Sequence, residues 1–169
     1  MDKDITLRSA TPADYQAMAT LFRESVHRGA ARDYDAEQRA AWAPVEMDMA
    51  AFAARQDLCR VWIAERAGAM AGFVTSRDDG LVDMLFVHPD HLRRGVGRRL
   101  LEIIETEARR AGRAGLYANV SLTARSLFEA CGFQVMADQV VELRGRRFRN
   151  FHMVRRLDRG AGTVVDTER

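Results

Sequence analysis

Apolar residues recur every three to four positions after residue 11, and this spacing predicts an amphipathic helix. The apolar positions are Tyr15, Met18, Leu21, Phe22 and Val26. They fall on one face of a helix with 3.6 residues per turn. Thr11-Pro12 is a typical helix start, because threonine caps the free amides and proline fits the first turn. We expect a short strand over 5–8 and then a helix that ends near residue 26.

The middle of the chain changes from helical spacing to strand-like runs. Residues 35–42 and 45–56 read as two helical pieces separated by Pro44. Three strand-like runs follow at 59–65, 70–76 and 81–87, and glycine-containing turns join them. This pattern predicts an antiparallel meander.

The strongest helix signal lies over 95–111. Its apolar positions are Val96, Leu100, Ile103, Ile104 and Ala108, and Gly112 marks its end. A strand at 116–120, a helix at 122–131 and two strands at 133–143 and 148–157 follow. We expect an α/β fold in a single domain over 1–157, with a flexible tail over 158–169.

Composition narrows the class of protein. Apolar residues make up 47% and charged residues 30%, a balance typical of a globular domain. No run approaches the ~20 apolar residues of a membrane span, and the first residues lack a basic leader, so we expect a cytoplasmic protein without membrane contacts. Cys59 and Cys131 lack metal-ligand spacing and read as free thiols, and the four histidines are too scattered for a metal site.

The segment from Val87 to Leu101 combines a strand end, a basic glycine-containing loop and a helix start. Arginines stand at Arg93, Arg94, Arg98 and Arg99, around Gly95 and Gly97. The free amides of a helix start attract anions, arginines add positive potential, and glycines let a phosphate approach the backbone. Alternatively, the glycines serve a tight turn and close helix packing. Leu100 breaks the Rossmann fingerprint, and the Gly-Lys-Ser/Thr of a P-loop is absent.

Two stretches resemble the GNAT superfamily of N-acetyltransferases. VDMLFVHPDHLRRGVGRRLL (82–101) is similar to its acetyl-CoA-binding motif, and SLTARSLFEACGF (121–133) to its later helix ending in Gly-Phe. The resemblance implies a GNAT-like fold, with a mixed central sheet of about six to seven strands and about four flanking helices. It also implies a splay between the strand before the motif and the strand at 116–120, where the cofactor lies.

By this resemblance, acetyl-CoA is the cofactor, and backbone amides over 94–98 hold its pyrophosphate. The strand edge at Leu85, Phe86 and Val87 would bind the pantetheine arm, and an N–H of Leu85 or Phe86 would polarise the thioester carbonyl. The later helix would flank the thiol end. The cofactor-binding set is Leu85, Phe86, Val87, Arg93, Arg94, Gly95, Val96, Gly97, Arg98, Arg99, Ser121, Ala124, Arg125 and Phe128.

Direct acetyl transfer needs a base that removes the proton of the amine. Asp83, four residues before Val87, stands where many relatives place an acid and is our first candidate; Glu142 is the second. The alternative for either is an acid that faces solvent or pairs with an arginine.

The chain departs from the family pattern at three positions. Leu92 replaces a Gln or Arg, Ser121 replaces a frequent Asn, and Phe128 replaces the tyrosine that often protonates the departing thiolate. Ser121, Tyr117, Cys131 or water would then have to stabilise that thiolate.

The acceptor is expected to enter over the first helices. Tyr34, Gln38 and Trp42 are similar in spacing to a bacterial GNAT subgroup and are our candidates for substrate binding, with the aromatic rings as a wall or as core. The expected function is acetylation of a primary amine on a small molecule or protein. The alternative is a weak or inactive acyl-CoA-binding sensor. We expect no nucleic-acid partner, because the net charge is only +2; a homodimer stays open.

Overall fold

The computed structural model describes residues 4–158 and contains seven strands and five α-helices in this range. In chain order they are β1 (Ile5–Ser9), α1 (Tyr15–Glu24), α2 (Ala36–Trp42), α3 (Met49–Asp57), β2 (Arg60–Arg66), β3 (Ala69–Ser76), β4 (Val82–Val87), α4 (Val96–Arg110), β5 (Gly115–Ser121), α5 (Arg125–Ala130), β6 (Gln134–Leu143) and β7 (Arg146–Arg156). The tail expected over 158–169 lies outside the described residues, except for Asp158.

The strands form two antiparallel sheets that meet at one point. One sheet has the order β1-β2-β3-β4 and the other β5-β7-β6. Leu81 forms a parallel bridge with Tyr117, whose N–H donates to the carbonyl of Gly80 at 3.1 Å. Beyond this bridge β4 and β5 are not paired, so the two sheets diverge. This is the splay that the resemblance implies.

Helices cover both faces of the first sheet because each face has its own apolar surface. On one face, Val96, Leu100 and Ile104 of α4 pack into a cluster that also holds Val74 of β3 and Met153 of β7. On the other, Met18 and Phe22 of α1 and Phe52 of α3 pack against Ile63 and Phe73. The α4 side thus joins the two sheets, and the α1–α3 side leaves the splay open.

Several helix boundaries differ from the predicted ones. The first helix begins with a 3₁₀ turn at Pro12–Asp14 and ends in a π turn at Ser25–Gly29. α3 begins at Met49 rather than at 45, because the side chain of Asp48 accepts from the amide of Ala51 at 3.0 Å. α5 is shorter than the predicted 122–131. The described residues form five α-helices, whereas the resemblance implied about four.

Candidate active site

A cavity of about 740 Å³ occupies the splay between the sheets, on the α1–α3 side. Its apolar wall includes Phe22, Trp42, Phe52, Phe86 and Phe148. Its polar lining includes Arg55, Asp83, Asn119, Ser121, Arg144 and Asn150. A cavity of this size, with few polar groups in an apolar wall, is typical of a small-molecule site.

The edge of β4 that borders this cavity has unpaired backbone groups. The N–H of Met84 donates to Oγ1 of Thr75 at 3.0 Å, and the N–H of His88 donates to the carbonyl of Ala71 at 2.8 Å, both on the β3 side. Backbone groups alternate between the two edges of a strand. The N–H and C=O of Leu85 and Val87 therefore face the splay, and those of Phe86 face β3.

This alternation decides between the two predicted N–H donors. The amide of Phe86 does not reach the splay, so the expectation that its backbone binds the cofactor is wrong. Its ring lies instead against Phe22, with 4.8 Å between the ring centroids, in the wall of the cavity. Leu85 keeps both an open backbone edge and a side chain that lines the cavity.

The start of α4 combines a left-handed backbone turn with several arginines. Gly95 caps the helix in the left-handed region at φ 82°, and Arg93 also has a positive φ, of 58°. No acidic residue stands in the first helical turn. Within residues 4–158, Arg94 and Arg98 are exposed and form no ion pair, whereas Arg99 pairs with Glu102 at 3.3 Å. The unpaired amides of a helix start and the guanidinium groups of two arginines therefore lie together at the start of α4.

The absent side chain of Gly97 allows close helix packing, which is the alternative role expected for the glycines. A Cβ at this buried position would lie 2.5 Å from Cδ2 of Leu127, so the missing side chain lets α4 approach α5. A Cβ on Gly95 would meet nothing within 4 Å. The left-handed backbone alone accounts for glycine there.

The turn between β5 and α5 brings a second part of the predicted set to the cavity. Oγ of Ser121 accepts from the amide of Ala124 at 3.1 Å, and both residues line the cavity. Phe128 also lines it and is 4% exposed. Arg125 points elsewhere: its Nε donates to Glu129 at 2.8 Å, and its guanidinium lies 4.4 Å from the ring centre of Phe151.

Of the two candidate bases, the structure brings Asp83 to the cavity. Arg55 of α3 donates from Nε and Nη2 to the two carboxylate oxygens of Asp83, at 2.7 and 3.0 Å. Glu142 is exposed and does not line the cavity, although its neighbours Val141 and Leu143 do. Alternation along β6 turns its side chain to the other face.

Two of the predicted thiolate donors lie away from the cavity. The hydroxyl of Tyr117 donates to Asp79 at 2.5 Å, and this bond raises the pKa of Tyr117. Burial raises the pKa of the Cys131 thiol. Neither residue is in the cavity lining, and Ser121 is.

The proposed acceptor residues split into two groups. The hydroxyl of Tyr34 donates to the carbonyl of Arg149 at 2.7 Å and accepts from the amide of Leu122 at 3.0 Å. Burial raises its pKa. The amide nitrogen of Gln38 donates to the carbonyl of Arg147 at 2.8 Å, away from the cavity. Only Trp42 offers its side chain to the cavity without such a bond to β7; its ring centre lies 5.4 Å from that of Tyr34.

Sequence reasoning did not identify Arg55, Arg144 or Asn150 as site residues. Arg144 follows β6, and its Nη1 donates to the carbonyl of Ala41 at 2.6 Å. Residues 34–42, here called the α2 segment, are held against the β6–β7 hairpin by this bond, by the bonds of Tyr34 and Gln38 and by the Glu37–Arg146 ion pair of 2.7 Å. Asn150 could have been noticed as a polar amide that stands between Phe148 and Phe151 in a predicted strand.

Residues 4–158 contain neither a cluster of metal ligands nor a helix that could span a membrane. No group of three or more His, Cys, Asp or Glu side chains in this range is placed to hold a metal ion. Its longest helices are too short or too polar to span a membrane.

Comparison with known proteins assigns the family. A sequence model described as an acetyltransferase (GNAT) domain matches residues 30–155. The uncharacterized N-acetyltransferase YafP of Escherichia coli is 35% identical over 151 residues, covering 89% of this chain and 95% of that protein. An L-methionine sulfoximine/L-methionine sulfone acetyltransferase of Salmonella typhimurium is 32% identical over 149 residues, covering 79% and 82%.

The solved structures agree. The crystal structure of a GCN5-related N-acetyltransferase from Rhodopseudomonas palustris has a TM-score of 0.86 at 33% identity, covering 90% of this chain and 95% of that one. Other similar structures are solved with acetyl-CoA. The chain therefore belongs to the GNAT family of acetyl-CoA-dependent N-acetyltransferases.

Proposed function

We propose that the protein transfers the acetyl group of acetyl-CoA directly to the primary amine of a small molecule that also carries a carboxylate. The main support is the open edge of β4, which borders the cavity and leads to the anion-receiving start of α4. Acetyl-CoA supplies an acetyl group activated as a thioester. The protein binds this group, orients the amine and accepts its proton.

The start of α4 is the proposed pyrophosphate site. The amides over 94–98 would donate to the phosphate oxygens, and the side chains of Arg94 and Arg98 would add charge. The first turn of α4 carries no acid that would compete with an anion. The guanidinium groups of Arg93 and Arg99 would contribute to the surrounding potential.

The exposed edge of β4 is the proposed site of the pantetheine arm. Backbone groups of Leu85 and Val87 would pair with the amides of the arm as a neighbouring strand does. The N–H of Leu85 would polarise the thioester carbonyl, because it faces the splay beside Asp83. Ala124 and Phe128 of the α5 region would border the thiol end.

Asp83 remains the proposed general base. Its carboxylate lines the cavity and is 11% exposed, so an amine can reach it from inside the cavity. The fork from Arg55 fixes the plane of the carboxylate, and each oxygen keeps a second lone pair for the amine. Arg55 is then a positioning residue for Asp83.

Charge in the acceptor half supports an amino-acid-like substrate. The lining includes the acids Glu46 and Asp48, and it includes Arg144 at the β6–β7 hairpin. A zwitterion would find a partner for its ammonium group and for its carboxylate. The relative from Salmonella typhimurium is named for acetylation of two methionine derivatives.

Release of CoA from acetyl-CoA tests this function. The panel contains L-methionine sulfone, the corresponding amine without a carboxylate, and a peptide with a free N-terminus. We expect the zwitterion to be acetylated best. Faster turnover of the amine without the carboxylate would refute the zwitterion preference, and faster turnover of the peptide would refute a small-molecule acceptor.

Calorimetry with CoA tests the pyrophosphate site separately. Arg98→Glu places an acid in the first turn of α4, which favours the helix but repels phosphate. We expect CoA to bind about tenfold more weakly, equivalent to ~1.4 kcal/mol. Arg110→Glu, on the last turn of the same helix, is the charge-matched control and should bind CoA normally. Equal binding by the two variants would contradict this site.

A second candidate function is a CoA-binding sensor without turnover. Phe128, which has no proton to donate at the place of the family tyrosine, is the observation that favours it. Tight CoA binding without CoA release for any amine would support the sensor and refute the enzyme.

A further inference from the structure

We propose that the side-chain amide of Asn150 donates a hydrogen bond to the sulfur of CoA as it departs, in place of the absent tyrosine hydroxyl. This inference rests on the proposed function, because it assumes that the thiol end of CoA reaches the cavity. Asn150 lies in β7 and lines that cavity together with Ser121 and Phe128.

The backbone at Asn150 is held on every side. β7 is the central strand of its sheet, and Asn150 stands opposite Ser121 of β5 and Gln139 of β6. The carbonyl of the preceding residue, Arg149, accepts from the hydroxyl of Tyr34 at 2.7 Å. A donor on such a fixed strand is preorganised for charge that develops beside it.

The amide of Asn150 has no partner within residues 4–158. Its Oδ1 is buried and makes no hydrogen bond. Its Nδ2 also makes none, but it keeps accessible surface, so the N–H groups of this amide are open to a ligand in the cavity. Burying a polar group without a partner costs stability, so such a group calls for an explanation, and a role in catalysis is one.

Most of the donors predicted for the thiolate are absent or lie away from the cavity. The ring of Phe128 has no donor. Tyr117 and Cys131 lie outside the cavity lining. Oγ of Ser121 accepts from the amide of Ala124, which holds this residue in the turn before α5, while its own O–H stays available as a second donor. Asn150 has two unused N–H bonds on the same wall.

The step balances without further reactants. The amine nitrogen forms a bond to the acetyl carbon and gives its proton to Asp83 or to water. The carbon–sulfur bond breaks, and its electron pair stays on the sulfur. Asn150 keeps its own protons and stabilises this anion by hydrogen bonding, and the thiolate then takes a proton from solvent.

The titration of enzyme-bound CoA tests the contact without turnover. Thiolate absorbance gives the pKa of the bound thiol, and a donor to the thiolate lowers that pKa. We expect a lower value in the parent protein than in Asn150→Ala, and the highest value in Asn150→Asp. Gln134→Ala removes an exposed amide on the adjacent strand β6, outside the cavity lining, and should match the parent. Equal values in the parent and Asn150→Ala would overturn the inference.

Kinetics give a second, independent readout. Asn150→Ala should lower kcat by about 10- to 100-fold, with little change in the KM of the amine. Phe128→Tyr in the Asn150→Ala background should recover much of this loss, because it restores a donor. A raised amine KM at unchanged kcat would overturn the inference and assign Asn150 to acceptor binding.

The two proposals fail in different ways. A parent protein that binds CoA and acetylates no amine contradicts the proposed function, while the thiol titration still tests Asn150. An active parent whose bound thiol ignores Asn150→Ala contradicts this inference alone. Unfolding midpoints of all variants verify that the changes are local.

Discussion

Arg55 binds both carboxylate oxygens of Asp83, at 2.7 and 3.0 Å, where α3 meets the edge of the splay. The pair joins the helical cover of the cavity to the strand that borders the cofactor slot. Asp83 either acts on the amine or only anchors α3, and substitutions of Asp83 and Arg55 distinguish the two roles.

If Asp83 is the base, Asp83→Asn should lower kcat by about 100-fold or more, because an amide cannot accept the proton of the amine. Arg55→Gln removes the same ion pair but keeps the carboxylate, so it should lose much less activity. Steady-state rates of CoA release measure both. Equal losses in the two variants would reduce Asp83 to a structural partner of Arg55.

Gly97→Ala should destabilise the protein by about 1–3 kcal/mol, because the added methyl group overlaps Leu127. Urea unfolding measures this change. The double variant Gly97→Ala/Leu127→Ala should lose less stability than the sum of the two single losses, because Leu127→Ala removes the side chain that the new methyl group overlaps. Strict additivity of the two substitutions would show that this contact does not restrict position 97.

Tyr34→Phe should destabilise the protein because the carbonyl of Arg149 and the amide of Leu122 each lose a partner. The expected loss of unfolding free energy is about 1–3 kcal/mol. The aromatic wall stays intact, so we expect the KM of the amine to change little. A large rise in that KM with unchanged stability would instead assign the hydroxyl to the acceptor.

Asp14 should make stability depend on pH in the acid range. Hydrogen bonds from Arg8 lower the pKa of this carboxyl from 3.8 to about 2. A carboxyl whose pKa is lower in the folded state stabilises it above the unfolded pKa and loses that contribution as the pH falls through the folded pKa.

Acid titration of stability measures this effect. The difference in unfolding free energy between the parent and Asp14→Asn should be constant near neutral pH. It should decrease below about pH 3.8, continue to fall through about pH 2 and level off only below that pH. Arg8→Gln should weaken the same pH dependence, since it removes the guanidinium. An unchanged difference down to pH 2 would contradict the role of Asp14.

Local patterns were enough to predict most of the fold. The apolar spacing from Val96 to Ala108 and the glycine after it define α4 within a residue or two. The strand-like runs predict the meander β2-β3-β4, and the resemblance at 82–101 predicts the splay. Helix ends were predicted less well, because α3 begins at a cap that Asp48 alone provides.

The site was less predictable, because its contacts join distant parts of the chain. Close packing at Gly97 was an open alternative, but its partner could not be named, since Leu127 is thirty residues away in sequence. Tyr34 and Gln38 read as substrate contacts, yet their polar groups bind carbonyls of β7. Phe86 read as a backbone donor because the edge that each residue faces depends on pairing with β3.

The hydrogen bonds between the α2 segment and the β6–β7 hairpin make the positions of two distant stretches of sequence depend on each other. Gln38 and Tyr34 fix carbonyls of β7, and Arg144 returns a bond to Ala41. Anyone who grafts acceptor selectivity from a relative should exchange 34–42 and 143–150 together. A chimera that receives only one stretch would lose the hydrogen bonds that hold the α2 segment against the β6–β7 hairpin.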